Sequence, residues 1–185
     1  EGWTKTPIRI PSPWNANAFR VFDGADSRLF PSYPADWDKA KQGWHRRTFF
    51  LSQGWLGRRI FLRFGAVNFY AEVYLNGVLA GRHETGFTPF EVDITNLVRL
   101  GEENELVVGV RGPSFFDEGG RSPYPAGSFW GARAFGIWQD VWLISRPMVR
   151  IEEVFVTTST RRKQARLQVR LVNQDMFAHD VYLKN

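Results

Sequence analysis

The sequence of 185 residues contains no cysteine and only three histidines. Without cysteine the chain cannot form a disulfide, a thiolate metal site or a cysteine nucleophile. The histidines, His45, His83 and His179, fall on separate predicted elements and lack the spacing of metal ligands. We therefore expect no metal centre and no cofactor.

Long apolar runs are absent as well. No stretch approaches the roughly 20 residues that a membrane-spanning helix needs, so we expect no membrane association. No secretory leader is visible, and the chain begins with Glu1 rather than Met, which indicates that it starts within a longer gene product. Helical periodicity is equally scarce, and no helix of substantial length is predicted.

The net charge of +5 does not come from a basic tail or a helical stripe. Much of the excess lies in arginine pairs on or beside predicted strands: Arg46-Arg47, Arg58-Arg59 and Arg161-Arg162. Because no recognition helix or RNA-binding signature accompanies them, these pairs indicate solvated strand faces and turns. We expect no nucleic-acid partner.

Aromatic residues, by contrast, are abundant: 8 Trp, 16 Phe and 5 Tyr among 185 residues. Their simplest role is the core of a β-sandwich, and a second role is to line a sugar site, because aromatic faces suit the C–H faces of pyranose rings. Alternation of apolar and polar residues predicts strands at residues 44–52, 59–67, 71–75, 88–94, 105–111 and 138–144.

A hairpin at the centre of the chain can be predicted in detail. Asn76-Gly77 follows the strand 71–75 and favours a two-residue type I′ turn. The turn predicts three facing pairs: Leu75 with Val78, Val73 with Ala80, and Tyr74 with Leu79. In the same register His83 shares a face with Tyr70. Thr95 is expected to cap a short helical turn.

The stretch AEVYLNGVLAGRHETGFTPFEVDIT, residues 71–95, resembles the signature of the N-terminal sugar-binding domain of family 2 glycoside hydrolases. That family includes β-galactosidases, β-mannosidases and β-glucuronidases. The stretches GWHRRTF at Gly43–Phe49 and GIWQDVWL at Gly136–Leu143 are similar to two further family motifs, in the same order. Three ordered motifs are far more specific than an Asn-Gly hairpin alone.

The resemblance implies an all-β chain of two parts. Residues 1–148 are expected to form a galactose-binding-domain-like antiparallel jelly-roll β-sandwich. Residues 149–185 show strand alternation that resembles the first strands of the immunoglobulin-like sandwich that follows in this family. Such a sandwich takes about 100 residues, so we expect this second part to be truncated and to offer a surface for homo-oligomer formation.

No catalytic residue is predicted. Glycoside hydrolysis needs two carboxyl groups that flank the scissile bond. In the resembled family both lie on a TIM barrel, which takes about 250 residues. Asp117 and Glu118 are adjacent acidic residues in the glycine-rich loop 112–136, and we interpret them as solvated. The chain alone is expected to be inactive.

Three residues are predicted to contact sugar: Asp140, Trp138 and Trp130. The resemblance implies that Asp140 reaches the barrel active site, whereas the alternative is an ion pair with a nearby arginine. Gln139 stands where the family motif has arginine, which weakens any inference to galactose. For the two tryptophans the alternative is core or interdomain packing.

The predicted function is therefore that of a non-catalytic sugar-binding domain of a β-glycosidase. It would pack on the barrel domain of the same chain and complete the substrate pocket through the loop 112–136 and Asp140. Two alternatives remain open at this stage: a free-standing carbohydrate-binding module, and a purely structural or oligomerisation domain.

Overall fold

The computed structural model describes residues 2–16, 33–116 and 134–184. Eleven β-strands lie in these ranges: β1 Gln42–Leu51, β2 Arg59–Phe64, β3 Val67–Asn68, β4 Tyr70–Leu75, β5 Val78–Glu84, β6 Phe90–Asp93, β7 Glu102–Arg111, β8 Gly136–Ile137, β9 Val141–Arg146, β10 Val149–Ser159 and β11 Gln164–Asn173. Three short 3₁₀ helices lie at Ala35–Lys39, Gln53–Trp55 and Pro113–Phe116. No helix in these ranges has the length and apolar character needed to cross a bilayer.

Two antiparallel sheets form the sandwich. The first has the order β1-β7-β4-β5 and the second the order β6-β2-β9, and β3 pairs with β8 at one end. The alternation in β4 directs Ala71, Val73 and Leu75 inward, and all three are fully buried. They share one core with Ile60, Leu62 and Phe64 of β2. The prediction of an all-β antiparallel sandwich is confirmed.

The strand predicted over residues 59–67 is divided in two. β2 ends at Phe64 and β3 begins at Val67, because the chain bends at Gly65. The last strand of the sandwich also starts later than predicted, at Val141, so that Trp138 and Asp140 lie in the loop that precedes it.

The central hairpin has the predicted turn, since Asn76 and Gly77 both have positive φ, 51° and 81°. Leu75 faces Val78, and Tyr74 faces Leu79, as predicted. Beyond them a β-bulge shifts the register by one residue, so Val73 faces Gly81 instead of Ala80.

The same bulge overturns the predicted placement of His83. His83 lies opposite Ala71, whereas Tyr70 lies opposite Glu84 on the other face. The His83 ring stacks on Phe90 at 4.0 Å between centroids. A one-residue shift exchanges the two faces of a strand, which is why the pairing of His83 with Tyr70 was wrong.

The turn after β6 is present, but Thr95 does not act as its helix cap. Its hydroxyl accepts a 2.9 Å hydrogen bond from the Ile60 backbone and donates to the Asp93 carboxylate at 2.6 Å. Thr95 therefore joins the turn to β2.

The last described segment is a separate hairpin of β10 and β11. Its register places six apolar side chains on one face: Ile151, Val154, Val156, Leu167, Val169 and Leu171. All of these except Val169 are more than 40% exposed. Residues 177–183 form no further strand.

Candidate functional site

The loop that carries Asp140 is held against the end of β2. The Gly65 N–H donates a 2.9 Å hydrogen bond to the Asp140 carbonyl. A Cβ atom on residue 65 would lie 2.8 Å from Cβ of Gln139, so glycine is needed for this close approach. The backbone of Asp140 is thereby fixed beside the second sheet.

The side chain of Asp140 is exposed. Within the ranges that the structure describes, its carboxylate makes no ion pair, so the alternative of an arginine partner finds no support there. A solvated carboxylate of this kind can accept hydrogen bonds from the hydroxyl groups of a sugar.

Trp138 is half-buried and is oriented by the loop between β5 and β6. Its Nε1–H donates a 2.9 Å hydrogen bond to the Gly86 carbonyl. The exposed ring of Phe87 meets it edge to face, with centroids 5.7 Å apart and planes at 67°. Both contacts lie within this domain, and they hold the indole in one orientation two residues from Asp140.

Asn68 is a further polar residue of this region, and none of the sequence motifs points to it. It is buried on β3, and its amide donates a 2.7 Å hydrogen bond to the Ala134 carbonyl. Among the residues that the structure describes, none donates a hydrogen bond to its Oδ1. Buried acceptors are normally paired, so this oxygen is a candidate to bind a hydroxyl group or a water molecule. In the sequence, the only signal for Asn68 was an asparagine placed directly after a predicted apolar strand.

Gly86 connects Asn68 with Trp138. A Cβ atom on residue 86 would lie 2.6 Å from Oδ1 of Asn68, and the Gly86 carbonyl binds the indole of Trp138. The loop between β5 and β6 can approach both residues because residue 86 has no side chain. Trp138, Asn68 and the Asp140 loop therefore lie at the same end of the sandwich, around β3 and β8.

Trp130, the third predicted sugar-contacting residue, lies outside the described residues, as do Asp117 and Glu118. Among the residues that the structure does describe, no group of three or more His, Cys, Asp or Glu side chains could hold a metal ion.

A cleft of about 510 Å³ opens elsewhere, between β1 and β9. Its walls are mainly apolar, and His45, Arg47 and Trp142 contribute to its lining. Neither Trp138 nor Asp140 is among the residues that line this cleft, so these two candidates do not form it.

This chain is similar to known proteins over most of its length. The model of the sugar binding domain of glycosyl hydrolases family 2 matches residues 4–147. A β-galactosidase of Thermoanaerobacter pseudethanolicus is 32% identical over 132 residues, covering 70% of this chain and 17% of that protein. The β-glucuronidase of Homo sapiens is 29% identical over 163 residues, covering 76% of this chain and 25% of the human protein.

Solved structures show the same fold. The β-glucuronidase of an uncultured Clostridium species has a TM-score of 0.68 at 26% identity, and the match covers 88% of this chain and 27% of that one. A Bacteroides uniformis β-glucuronidase has a TM-score of 0.60 at 27% identity, and the match covers 82% of this chain and 16% of that one. This chain therefore spans about a quarter or less of the length of these relatives.

The antiparallel sandwich and its family match define a sugar-binding β-sandwich domain. The chain belongs to glycosyl hydrolase family 2, as its three ordered motifs indicated.

Proposed function

We propose that this chain is the non-catalytic, sugar-contacting part of a β-glycosidase. The proposal rests on the setting of Asp140. Its carboxylate is exposed and lacks an ion-pair partner among the described residues, and Gly65 holds its loop in place through a backbone hydrogen bond. The relatives named β-glucuronidase and β-galactosidase support a β-O-glycoside as the substrate of the whole protein.

The proposal divides the work between domains. Asp140 and Trp138 would hold the sugar, with Trp130 and the loop 112–136 completing the rim of the pocket. The two hydrolytic carboxyl groups would lie on a barrel domain, which takes about 250 residues and cannot be contained in this chain. The family model ends at residue 147, which supports a boundary between a sugar-binding domain at 1–148 and an immunoglobulin-like region at 149–185.

The decisive experiment replaces Asp140 by Asn in the full-length enzyme. A hydrogen bond to a charged group contributes about 1.5–3 kcal/mol, so kcat/KM should fall about 10- to 100-fold while the fold is retained. Steady-state kinetics with β-glucuronides and β-galactosides, together with a thermal melt, measure both quantities.

Asp36→Asn is a matched control, because Asp36 is an exposed aspartate on the 3₁₀ helix at Ala35–Lys39. It should leave the kinetics unchanged. If Asp140→Asn also changes neither kinetics nor stability, Asp140 does not contact the sugar and the proposal loses its main support.

The chain of 185 residues should not hydrolyse glycosides by itself. A panel of nitrophenyl β-glycosides tests this expectation directly. Turnover that copurifies with the chain and disappears in the double variant Asp117→Asn, Glu118→Gln would place catalysis in the loop 112–136 and refute the non-catalytic role.

A further inference from the structure

The outer face of the first sheet carries a row of residues that only the strand register brings together. Trp44 on β1 faces Gly109 on β7, and Gly109 faces Glu72 on β4. Arg82 on β5 completes the row opposite Glu72. The neighbouring rows place Tyr70 and Tyr74 on either side of Glu72. We call this face the Trp44 platform: Trp44, Gly109, Glu72, Arg82, Tyr70 and Tyr74.

Trp44 covers the bare backbone of Gly109. A Cβ atom on residue 109 would lie 2.6 Å from the indole ring, so any other residue would displace the ring from the sheet. The indole nevertheless remains 50% exposed, and the ring of Tyr74 lies 6.1 Å away. The platform therefore presents a large aromatic surface in a position set by the backbone.

The carboxylate of Glu72 forms the polar part of the platform, and its side chain is only 13% exposed. The Arg82 Nε–H donates to Oε1 at 3.1 Å, and an Arg111 nitrogen lies 3.7 Å from Oε2. Burial would raise the pKa of Glu72, but the hydrogen bond from Arg82 and the charge of Arg111 outweigh it and lower that pKa. The carboxylate is therefore ionised and fixed in direction.

Glu72 keeps capacity for a ligand. The hydroxyls of Tyr70 and Tyr74 donate to its two oxygens at 3.3 and 3.4 Å, which is long for O–H···O bonds. A ligand hydroxyl could replace either tyrosine at little cost. Arg82 has a half-exposed guanidinium with further N–H groups that can donate to a ligand.

We propose that the Trp44 platform binds a pyranose unit of a glycan. The exposed indole would contact the apolar C–H face of the ring, as aromatic groups favour flat apolar partners. Glu72 would accept hydrogen bonds from ring hydroxyls, and Arg82 would donate to the hydroxyl or carboxylate oxygens at the opposite edge. A small depression beside the indole is lined by Trp44, Tyr70, Glu72 and Gly109 together with Gln42 and Arg111.

This site goes beyond the proposed function. The platform lies on the outer face of the first sheet, whereas Asp140 lies in the loop that precedes β9 of the second sheet. Its test uses binding by the chain of 185 residues alone, and the test of Asp140 uses the kinetics of the full-length enzyme. Failure of either result therefore leaves the other interpretable.

The experiment is affinity gel electrophoresis of the chain in gels that contain hydroxyethylcellulose, a neutral glycan, or polygalacturonate, a uronate glycan. We expect at least one of them to retard the chain, and Trp44→Ala to weaken the retardation about tenfold or more in apparent Kd. Trp44→Ala leaves the net charge unchanged, so general attraction of the basic chain to the polyanion is the same in both proteins. Trp44→Phe should restore part of the binding.

Two controls match Trp44. Phe50 is an exposed aromatic residue on the same face of β1, and Trp142 is an exposed tryptophan on β9. Phe50→Ala and Trp142→Ala should bind like the parent chain, and a thermal melt should show that all variants fold.

Several outcomes would overturn the proposal. These are no retardation by either glycan, equal retardation of the parent and Trp44→Ala, or equal losses in the two controls. A change from oligomer to monomer in Trp44→Ala without any glycan binding would identify a protein-contact surface instead, and would also overturn it.

Discussion

His45 is an inward-facing side chain of β1 whose burial links folding to pH. Burial lowers the pKa of His45 to about 4, although a hydrogen bond with the Val108 backbone opposes the shift. No group of the described ranges forms a hydrogen bond with its buried Nδ1, and its ring lies 6.1 Å from that of Trp14. The folded protein therefore favours the neutral imidazole.

We predict that the free energy of unfolding falls as the pH decreases from about 6.5 to about 4. In that window the unfolded chain binds a proton at His45 and the folded chain does not, so acid favours unfolding by at most about 3 kcal/mol. Above pH 6.5 this contribution is fully present. Urea unfolding of the parent and of His45→Gln, at pH 7.5, 6 and 5, measures it.

His45→Gln should show a smaller loss of stability over this range, because it removes the titrating group. Equal slopes of stability against pH in the two proteins would show that another group causes the pH dependence.

Gly86 shows why some residues of the site had to be found in the structure. Its importance comes from two contacts, with Asn68 and with Trp138, which are distant in sequence. The sequence pattern around residue 86 indicates only a turn before Thr88-Pro89. Only the folded chain shows that a side chain at this position would collide with a buried amide.

The turn between β4 and β5 is part of a larger asparagine network. Asn104 is fully buried at the start of β7, and its Oδ1 accepts hydrogen bonds from Asn76 and from the Arg99 backbone at 2.9 and 2.8 Å. Its amide donates to the carbonyls of Arg99 and Glu102. Asn104 thus joins the hairpin turn to the loop between β6 and β7.

We predict that Asn104→Ala lowers the free energy of unfolding by about 2 to 4 kcal/mol, because it leaves several buried donors and acceptors unpaired. Asn96→Ala is the control, because Asn96 is an exposed asparagine in the loop between β6 and β7. This variant should change the free energy of unfolding by less than about 0.5 kcal/mol. Urea unfolding of both variants tests this. Equal effects at the two positions would mean that the network contributes no specific stability.

At the level of the strands, the alternation of residues predicted which face of β4 is buried, but the register of β5 was right only next to the turn. The bulge that leaves Ala80 unpaired places Arg82 opposite Glu72. The regular register would have placed Gly81 there. Period-two alternation does not reveal a bulge of one residue, because small side chains such as Ala80 and Gly81 fit either face.

For the molecule as a whole, the hairpin of β10 and β11 should decide the association state. Its apolar face is exposed in this structure. Burying each aliphatic side chain of this face in an interface would stabilise the associated state by about 1.5–3 kcal/mol. Its edges also present unpaired backbone groups that can pair with another chain. We predict that the chain of 185 residues self-associates and that a shorter chain ending at Pro147 is a folded monomer.

Light scattering of the two forms tests this prediction, and a thermal melt shows whether the shorter form folds. If both are monomers and the tail resists protease in the longer form, the tail must pack on the sandwich. The proposed boundary between residues 148 and 149 would then be wrong.

The sequence by itself determined the class of this protein. Alternating strands, the Asn76-Gly77 turn and three ordered motifs were sufficient for the antiparallel sandwich and for the family, because each depends on residues close together in the chain. The same motifs selected Asp140 and Trp138 as candidates for sugar contact. The loop with Trp130 lies outside the described residues, so that candidate stays a prediction.

Only the tertiary structure decided which distant side chains meet. It placed Gly65 against the Asp140 loop and Gly86 against Asn68, and it aligned Trp44, Gly109, Glu72 and Arg82 in one row across four strands. Such contacts depend on strand order, on register and on the bulge in β5. These are properties of the folded chain that no local pattern in the sequence encodes.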